Sequence, residues 1–213
     1  MKYSQTIKRI ITGAALALGF AGAYLYAPAW VISVAFVFIL LFILFFEWPL
    51  FNAPKLTPLY PALPFLLLIL LNQSDTRYLI PILFVAVFGG DTGAYIVGKL
   101  IGRHKLCPTI SPLKTWEGFF GGIAGSIICT TLFCIFARYS INFYALIFVC
   151  CLLSIAGTGG DLFESYLKRR ASLKDSGASL PGHGGWLDRF DSVLGAVMIL
   201  YPLRYIIATL FKN

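Results

Sequence analysis

Long runs of apolar residues alternate with short polar stretches along this chain, and the runs have the length of a bilayer crossing. Residues 31–46 contain no charged side chain at all. At about 20 residues per spanning helix, the pattern predicts seven spans, over 10–26, 29–46, 56–72, 78–100, 119–137, 143–157 and 192–211. The expected fold class is all-α: a polytopic integral membrane protein with about seven transmembrane helices. The third span is the least regular, because its centre, 58–71, is proline-rich and short for a full crossing; 56–72 is just long enough to span, and a re-entrant segment is the alternative. The first follows a positively charged start, as a signal peptide would. Its length and the spans behind it favour an uncleaved helix. Pro28 allows a tight turn into the second span, which Glu47, Trp48 and Pro49 end at an interface.

Composition agrees with this picture. The chain is 59% hydrophobic and 12% charged, with a mean hydropathy of +0.83, which excludes an ordinary soluble domain. A formal charge of +8 does not indicate nucleic acid, because the basic residues sit in short loops beside apolar runs, where they set orientation and meet anionic lipid. With the N-terminus cytoplasmic and seven crossings, 13 of the 17 Lys and Arg residues are cytoplasmic; Arg77, Arg138 and Lys212 lie outside and Arg204 near the end of the last span. Arg204 reads as a structural residue whose stem reaches the interface. The five cysteines show no ligand spacing with histidine and no disulfide framework, and read as small apolar residues.

The polar exceptions carry the chemistry. Residues 157–192 hold five of the nine carboxylates, Asp161, Glu164, Asp175, Asp188 and Asp191, together with five basic residues. If 161–170 continues as a helix, Asp161, Glu164, Ser165 and Lys168 share one face. A second helix starting near Trp186 directs Asp188 and Asp191 the same way. The glycine-rich break around His183 can turn sharply and offer bare N–H groups to an anion. Carboxylates on two helices suit a hard divalent cation, and the neighbouring lysines and arginines suit phosphate. Asp91 lies deep in the fourth span among Gly89, Gly90, Gly93 and Gly98, where an ionisable residue is a functional candidate. The 99–117 loop contains SPLKTWEG, whose Ser111, Lys114 and Thr115 lead into a helix near Glu117 and suit phosphate contact at a helix N-terminus. The same cations also satisfy the positive-inside pattern.

The string SxxKRxxxxKDxGxxxPGHGGxxDRxD, from Ser165 to Asp191, resembles the signature of the phosphatidate cytidylyltransferases, the CDP-diacylglycerol synthases. DTGAYxxG, from Asp91 to Gly98, and SPLKTWEG are similar to that family's pattern as well. Leu113 stands where many members carry a second lysine. The resemblance covers about half the chain, 88–192; residues 1–75 resemble the family only in being hydrophobic. This organises the chain as N-terminal membrane helices over 1–75 and a catalytic membrane domain over 76–213, with cytoplasmic segments 99–117 and 161–190 forming a cytoplasmic-side active site.

The reaction implied is transfer of the cytidylyl group of CTP to phosphatidate, giving CDP-diacylglycerol and pyrophosphate, in a bacterial inner membrane. The family's pattern puts magnesium on Asp161 and Asp188, with Asp191 and Asp91 as further ligands and room for a second cation. Lys168, Lys174 and Arg189 would contact the triphosphate or the lipid phosphate, as would Ser111, Lys114 and Thr115. Ser165, Arg169, Gly184 and Gly185 complete the substrate-binding set. Asp175 either binds metal or holds Lys174 or Arg169. His183 serves loop geometry or phosphate contact ahead of proton transfer. A homodimer is expected by resemblance. Two alternatives remain beside this reading: a cytidylyltransferase for another lipid phosphate, and a cation-coupled secondary transporter built on the glycine-rich fourth span.

Overall fold

The computed structural model describes residues 18–179 and 184–212. Helices dominate it: α1 (residues 18–26), α2 (Ala29–Phe42), α3 (Leu63–Asn72), α4 (Leu79–Ile101), α5 (Trp116–Phe136), α6 (Phe143–Arg170) and α7 (Leu187–Leu210). Among the described residues, six helical segments are long and apolar enough to cross a membrane: Ala29–Phe51, Pro54–Asn72, Leu79–Ile101, Trp116–Phe136, Phe143–Arg170 and Leu187–Leu210. The protein is an all-α, multi-pass membrane protein. The first expected span, 10–26, falls partly outside the described residues, and its described part, 18–26, is helical.

The chain forms two compact units. One holds Leu167–Phe190 with the described part of Met1–Ser74, and the other holds Asp75–Tyr166 and Asp191–Asn213.

In the first unit, α2 does not stop at Phe42. It runs on through a π-helical turn, Ile43–Glu47, and a 3-10 turn, Trp48–Phe51. The proline-rich third span is built the same way, with a 3-10 turn at Pro54–Leu56 and a π turn at Pro58–Ala62 before regular α3. Prolines remove helical N–H donors, so this stretch takes irregular turns and still has the length of a crossing. Two of its polar side chains are bonded within the unit: Thr57 Oγ1 accepts from Trp48 Nε1 at 2.7 Å, and Asn72 Nδ2 donates to Ala29 O at 2.6 Å and Ser33 Oγ at 2.9 Å. Phe36 and Phe65 are fully buried and both pack against Phe190, the first edge-on and the second tilted, 6.4 and 5.4 Å between ring centres.

In the second unit, α4 and α5 pack with their backbones almost touching. A Cβ added at Gly93 would stand 2.4 Å from the carbonyl oxygen of Gly121, and one at Gly125 would stand 2.5 Å from that of Gly89. Apolar side chains give no hydrophobic gain against lipid, so small residues and close van der Waals contact hold such helices together. Between α4 and α5 lies a hairpin, β1 (Lys105–Cys107) and β2 (Ser111–Thr115), antiparallel with an irregular register. Chain pattern alone does not foretell it, because neither strand is long enough to show alternation. Thr115 then caps α5, its Oγ1 accepting from Gly118 N at 3.1 Å. Thr115→Ala should lower stability by about 1 kcal/mol, and Thr115→Ser should restore it; thermal melts in detergent read both. A two-residue pairing of β3 (Ser140–Ile141) with β4 (Phe211–Lys212) closes the other end.

Helix α6 is continuous from the apolar run into the polar segment. Its 28 residues correspond to about 42 Å at 1.5 Å per residue, against a hydrocarbon core of about 30 Å. Its charged C-terminal turns therefore project beyond the apolar layer. In α7, Arg204 donates to Tyr201 O at 2.9 Å and lies over the Tyr201 and Tyr205 rings, 4.0 and 4.3 Å from their centres. These contacts fit its structural reading.

Candidate active site

The predicted site residues fall into two groups, one in each unit. In the second unit the hairpin delivers Lys114 to Asp161 on α6, 2.7 Å from Nζ to Oδ2, with the two side chains 24% and 27% exposed. The other oxygen of Asp161 accepts from Ser165 Oγ at 3.2 Å, one helical turn later. Glu117 fastens the base of the hairpin: its carboxylate accepts from the backbone N–H groups of Arg103 and His104 and contacts the His104 ring. The Glu117 carboxylate thus sits at the start of α5, where the helix dipole favours negative charge.

On α7, Asp191 lies in the combined field of Asp161, Glu164 and Asp91. Ser192 beside it reaches Asp91 Oδ1 at 3.5 Å. Helices α6 and α7 approach closely because Gly160 and Gly195 face one another; a Cβ on Gly160 would stand 2.8 Å from Gly195 Cα. Asp91, Ser154, Thr158 and Ser192 also line a small cavity whose remaining walls are apolar and glycine residues of α4, α5 and α6. Ser111 is half-buried on β2.

The first unit holds Asp188, in the first turn of α7. Lys168 Nζ donates to its Oδ1 at 2.8 Å, with the side chains 11% and 7% exposed. The backbone N–H groups of Ser176 and Gly185 donate to its Oδ2 at 2.9 and 2.8 Å. A lysine and two loop amides therefore surround one carboxylate. Gly184 adopts φ +78, and a Cβ there would stand 2.5 Å from Asp188 Oδ2. Both the left-handed backbone and the close approach require glycine.

Other expected residues lie further out. Lys174, Asp175 and Arg189 are exposed, and Arg169, also exposed, donates to Leu173 O at 3.1 Å. His183 falls outside the described residues.

Two buried carboxylates were not among the candidate site residues. Glu164 is fully buried on α6 beside Asp161. Glu47, expected at an interface, is instead 1% exposed, and it accepts from Ser179 Oγ, Trp186 N and Leu187 N at 2.9, 2.8 and 2.9 Å. The signal for Glu47 was weaker than the one that singled out Asp91: it adjoins a charge-free run, whereas Asp91 lies deep within a span.

The donor chemistry fits a hard divalent cation. Asp91, Asp161, Glu164 and Asp191 all offer carboxylate oxygens, the donor type that hard divalent cations take. They are not preassembled as a cage, since among the described residues no three His, Cys, Asp or Glu side chains are gathered closely enough to hold a metal ion. Asp161 is engaged with lysine instead.

A family model described as the cytidylyltransferase family matches residues 12–207. Among curated proteins, the chain is 48% identical over 129 residues to the phosphatidate cytidylyltransferase of Staphylococcus haemolyticus, a stretch covering 61% of this chain and 50% of that protein. The corresponding Staphylococcus saprophyticus protein is 46% identical over the same length and coverage. So is that of Staphylococcus aureus. The matched stretch spans about half the length of these curated relatives.

Proposed function

We infer the reaction from one premise: this chain belongs to the cytidylyltransferase family. We propose that it transfers the cytidylyl group of CTP to phosphatidate, the substrate in the names of its relatives. A phosphatidate oxygen attacks the α-phosphorus of CTP, the bond from that phosphorus to the β-phosphate oxygen breaks, and pyrophosphate leaves with its electron pair. The attacking oxygen is already anionic near neutral pH, so little general-base assistance is needed. The difficulty is to bring two polyanions together.

The observation that carries this reading is the pairing of Lys114 with Asp161 and of Lys168 with Asp188. Charges withdrawn from water, nearly fully in the Lys168–Asp188 pair and in part in the Lys114–Asp161 pair, are costly in a membrane protein and persist where function needs them. Each pair keeps a cation and an anion neutral and ready for exchange. Lys114 and Lys168 turn to phosphate oxygens when substrate arrives, and the carboxylates released are then available to a metal. Asp161, Asp191 and Asp91 would hold magnesium; bound there, magnesium would screen the triphosphate and stabilise the pyrophosphate leaving group. Asp188, once Lys168 turns to phosphate, would be a metal ligand in its own unit. Lys174 and Arg189, both exposed, are suited to collect the anionic substrates from water. Gly184 and Gly185 let the loop amides approach anionic oxygen, and His183, outside the described residues, would serve loop geometry or phosphate contact. We place the protein in the bacterial cytoplasmic membrane, N-terminus inside, with the lipid phosphate arriving from the inner leaflet and CTP from the cytosol. A homodimer is part of the same reading.

The test uses purified protein in detergent with labelled CTP, phosphatidate and magnesium. Wild type should form a lipid-soluble CDP product that chelation abolishes. Lys114→Met should lower the rate about 100-fold, the scale of losing one charge-stabilising donor, with the melting temperature little changed because the pair is partly exposed. Folded wild type that turns over no lipid phosphate would reject the proposal, and turnover of a different lipid phosphate alone would move it to that substrate.

A further inference from the structure

We propose that Glu47 is a positioning residue that holds the loop presenting Asp188. This rests on the cytidylyl-transfer reading for its effect on rate, though not for its effect on the loop. Glu47 closes the π-helical turn at the end of α2 and is 1% exposed. Its two oxygens divide the described flanks of the glycine loop between them. Oε1 accepts from Ser179 Oγ at 2.9 Å and Trp186 N at 2.8 Å. Oε2 accepts from Leu187 N at 2.9 Å and Ser176 Oγ at 3.3 Å. One side chain thereby ties the strand of loop before the break to the strand after it.

The same two flanks hold Asp188. Ser176 N and Gly185 N donate to its carboxylate, and Ser176 Oγ accepts from Asp188 N at 3.3 Å. Ser176 thus touches Glu47 through its hydroxyl and Asp188 through its amide. Gly185 is packed between them, since a Cβ there would stand 2.1 Å from Ser176 Oγ and 2.7 Å from Glu47 Oε2. A shift of Glu47 has no slack to be absorbed in before it reaches Asp188.

The chemistry of the contact demands a carboxylate. Trp186 and Leu187 belong to the start of α7, whose first N–H groups have no helical partner. Glu47 satisfies two of them, and its negative charge lies at the favourable end of the helix dipole. A serine hydroxyl can rotate to meet an amide, but a backbone N–H cannot become an acceptor. Glutamine at this position would face an NH2 group toward one of those N–H groups and leave that N–H buried without an acceptor. Asp188 would lose its register relative to Lys168 without losing any direct partner.

The experiment compares Glu47→Gln with wild type in steady-state kinetics and in hydrogen exchange of the 176–187 segment. In Glu47→Gln, kcat should fall about 10- to 100-fold, the usual range for a residue that orients a ligand-bearing group, with KM for CTP near the wild-type value. Exchange at Trp186 and Leu187 should accelerate while the membrane helices keep their protection. Ser179→Ala, which removes one donor at an exposed position, is the second variant should Glu47→Gln fail to fold; it should lower kcat about threefold, because water can replace an exposed hydroxyl donor to the carboxylate in part. Wild-type kcat and wild-type exchange in the folded variant overturn the role, as does a change in KM alone. If wild-type protein makes no CDP-lipid, the reaction is wrong, and the exchange comparison still decides whether Glu47 holds the loop.

Discussion

Asp188→Asn should abolish most cytidylyl transfer, by about 100- to 1,000-fold, and Lys168→Met should do the same. Both partners are almost fully buried, 2.8 Å apart. Removing one leaves the other charge without compensation, which typically costs about 3–5 kcal/mol of stability. Asparagine retains an oxygen for only one side of the site. If that oxygen faces Ser176 N and Gly185 N, the NH2 group faces the Lys168 ammonium; if it turns round, two loop amides lose their acceptor. The double variant Lys168→Met, Asp188→Asn separates structure from chemistry. It buries no lone charge, so its melting temperature should recover toward wild type relative to either single change, while activity stays lost. A double variant that regained turnover would show that the pair is only a brace. Single variants as stable as wild type would show that water reaches the pair.

The second large effect should come from Gly160→Ala, a change of one methyl group. The added Cβ would stand 2.5 Å from Asp191 O, 2.8 Å from Gly195 Cα and 2.9 Å from Gly195 N. All three are backbone atoms, so no side chain can rotate away; α6 and α7 must separate. Overpacking of this kind costs about 1–3 kcal/mol. Here it also moves Asp161, the next residue, away from Asp191, and a displacement of about 1 Å among reacting groups can cost about 100-fold in rate. Gly195→Ala should behave alike, because its Cβ would meet Ala156 O at 2.5 Å and Gly160 Cα at 2.7 Å. Gly159→Ala is the control: nothing lies within 4 Å of its Cβ, and alanine favours helix by up to about 1 kcal/mol. Its activity and melting temperature should match or exceed wild type. Equal effects at 159 and 160 would mean that helix flexibility, not helix contact, is what these glycines provide.

Read from one chain, the membrane character was plain because its cause is local. An apolar run of 20 residues has few options in water, so α4, α5 and α7 appeared within a few residues of their expected positions. The start of α7 at Leu187 rather than 192 escaped the hydrophobic pattern because Asp188 and Asp191 interrupt it, although the carboxylate spacing had pointed to a helix near Trp186. The irregular third span was visible as a problem, since its prolines are in the sequence, but how those turns fit together was not.

The identity of the polar groups was likewise legible. Five carboxylates in one short window are improbable by composition, and the glycines around His183 mark a loop that must bend. Which groups meet was decided by packing. Lys114 reaches Asp161 only because a hairpin folds back between α4 and α5, and Asp191 stands beside Asp161 because two glycines let α6 and α7 approach. Glu47 reaches Leu187 across 140 positions of sequence. The sequence by itself determined the spans, their polar exceptions and the chemistry those exceptions can perform. Tertiary structure alone decided their pairing, because a hydrogen bond between distant segments leaves no periodic trace in either one.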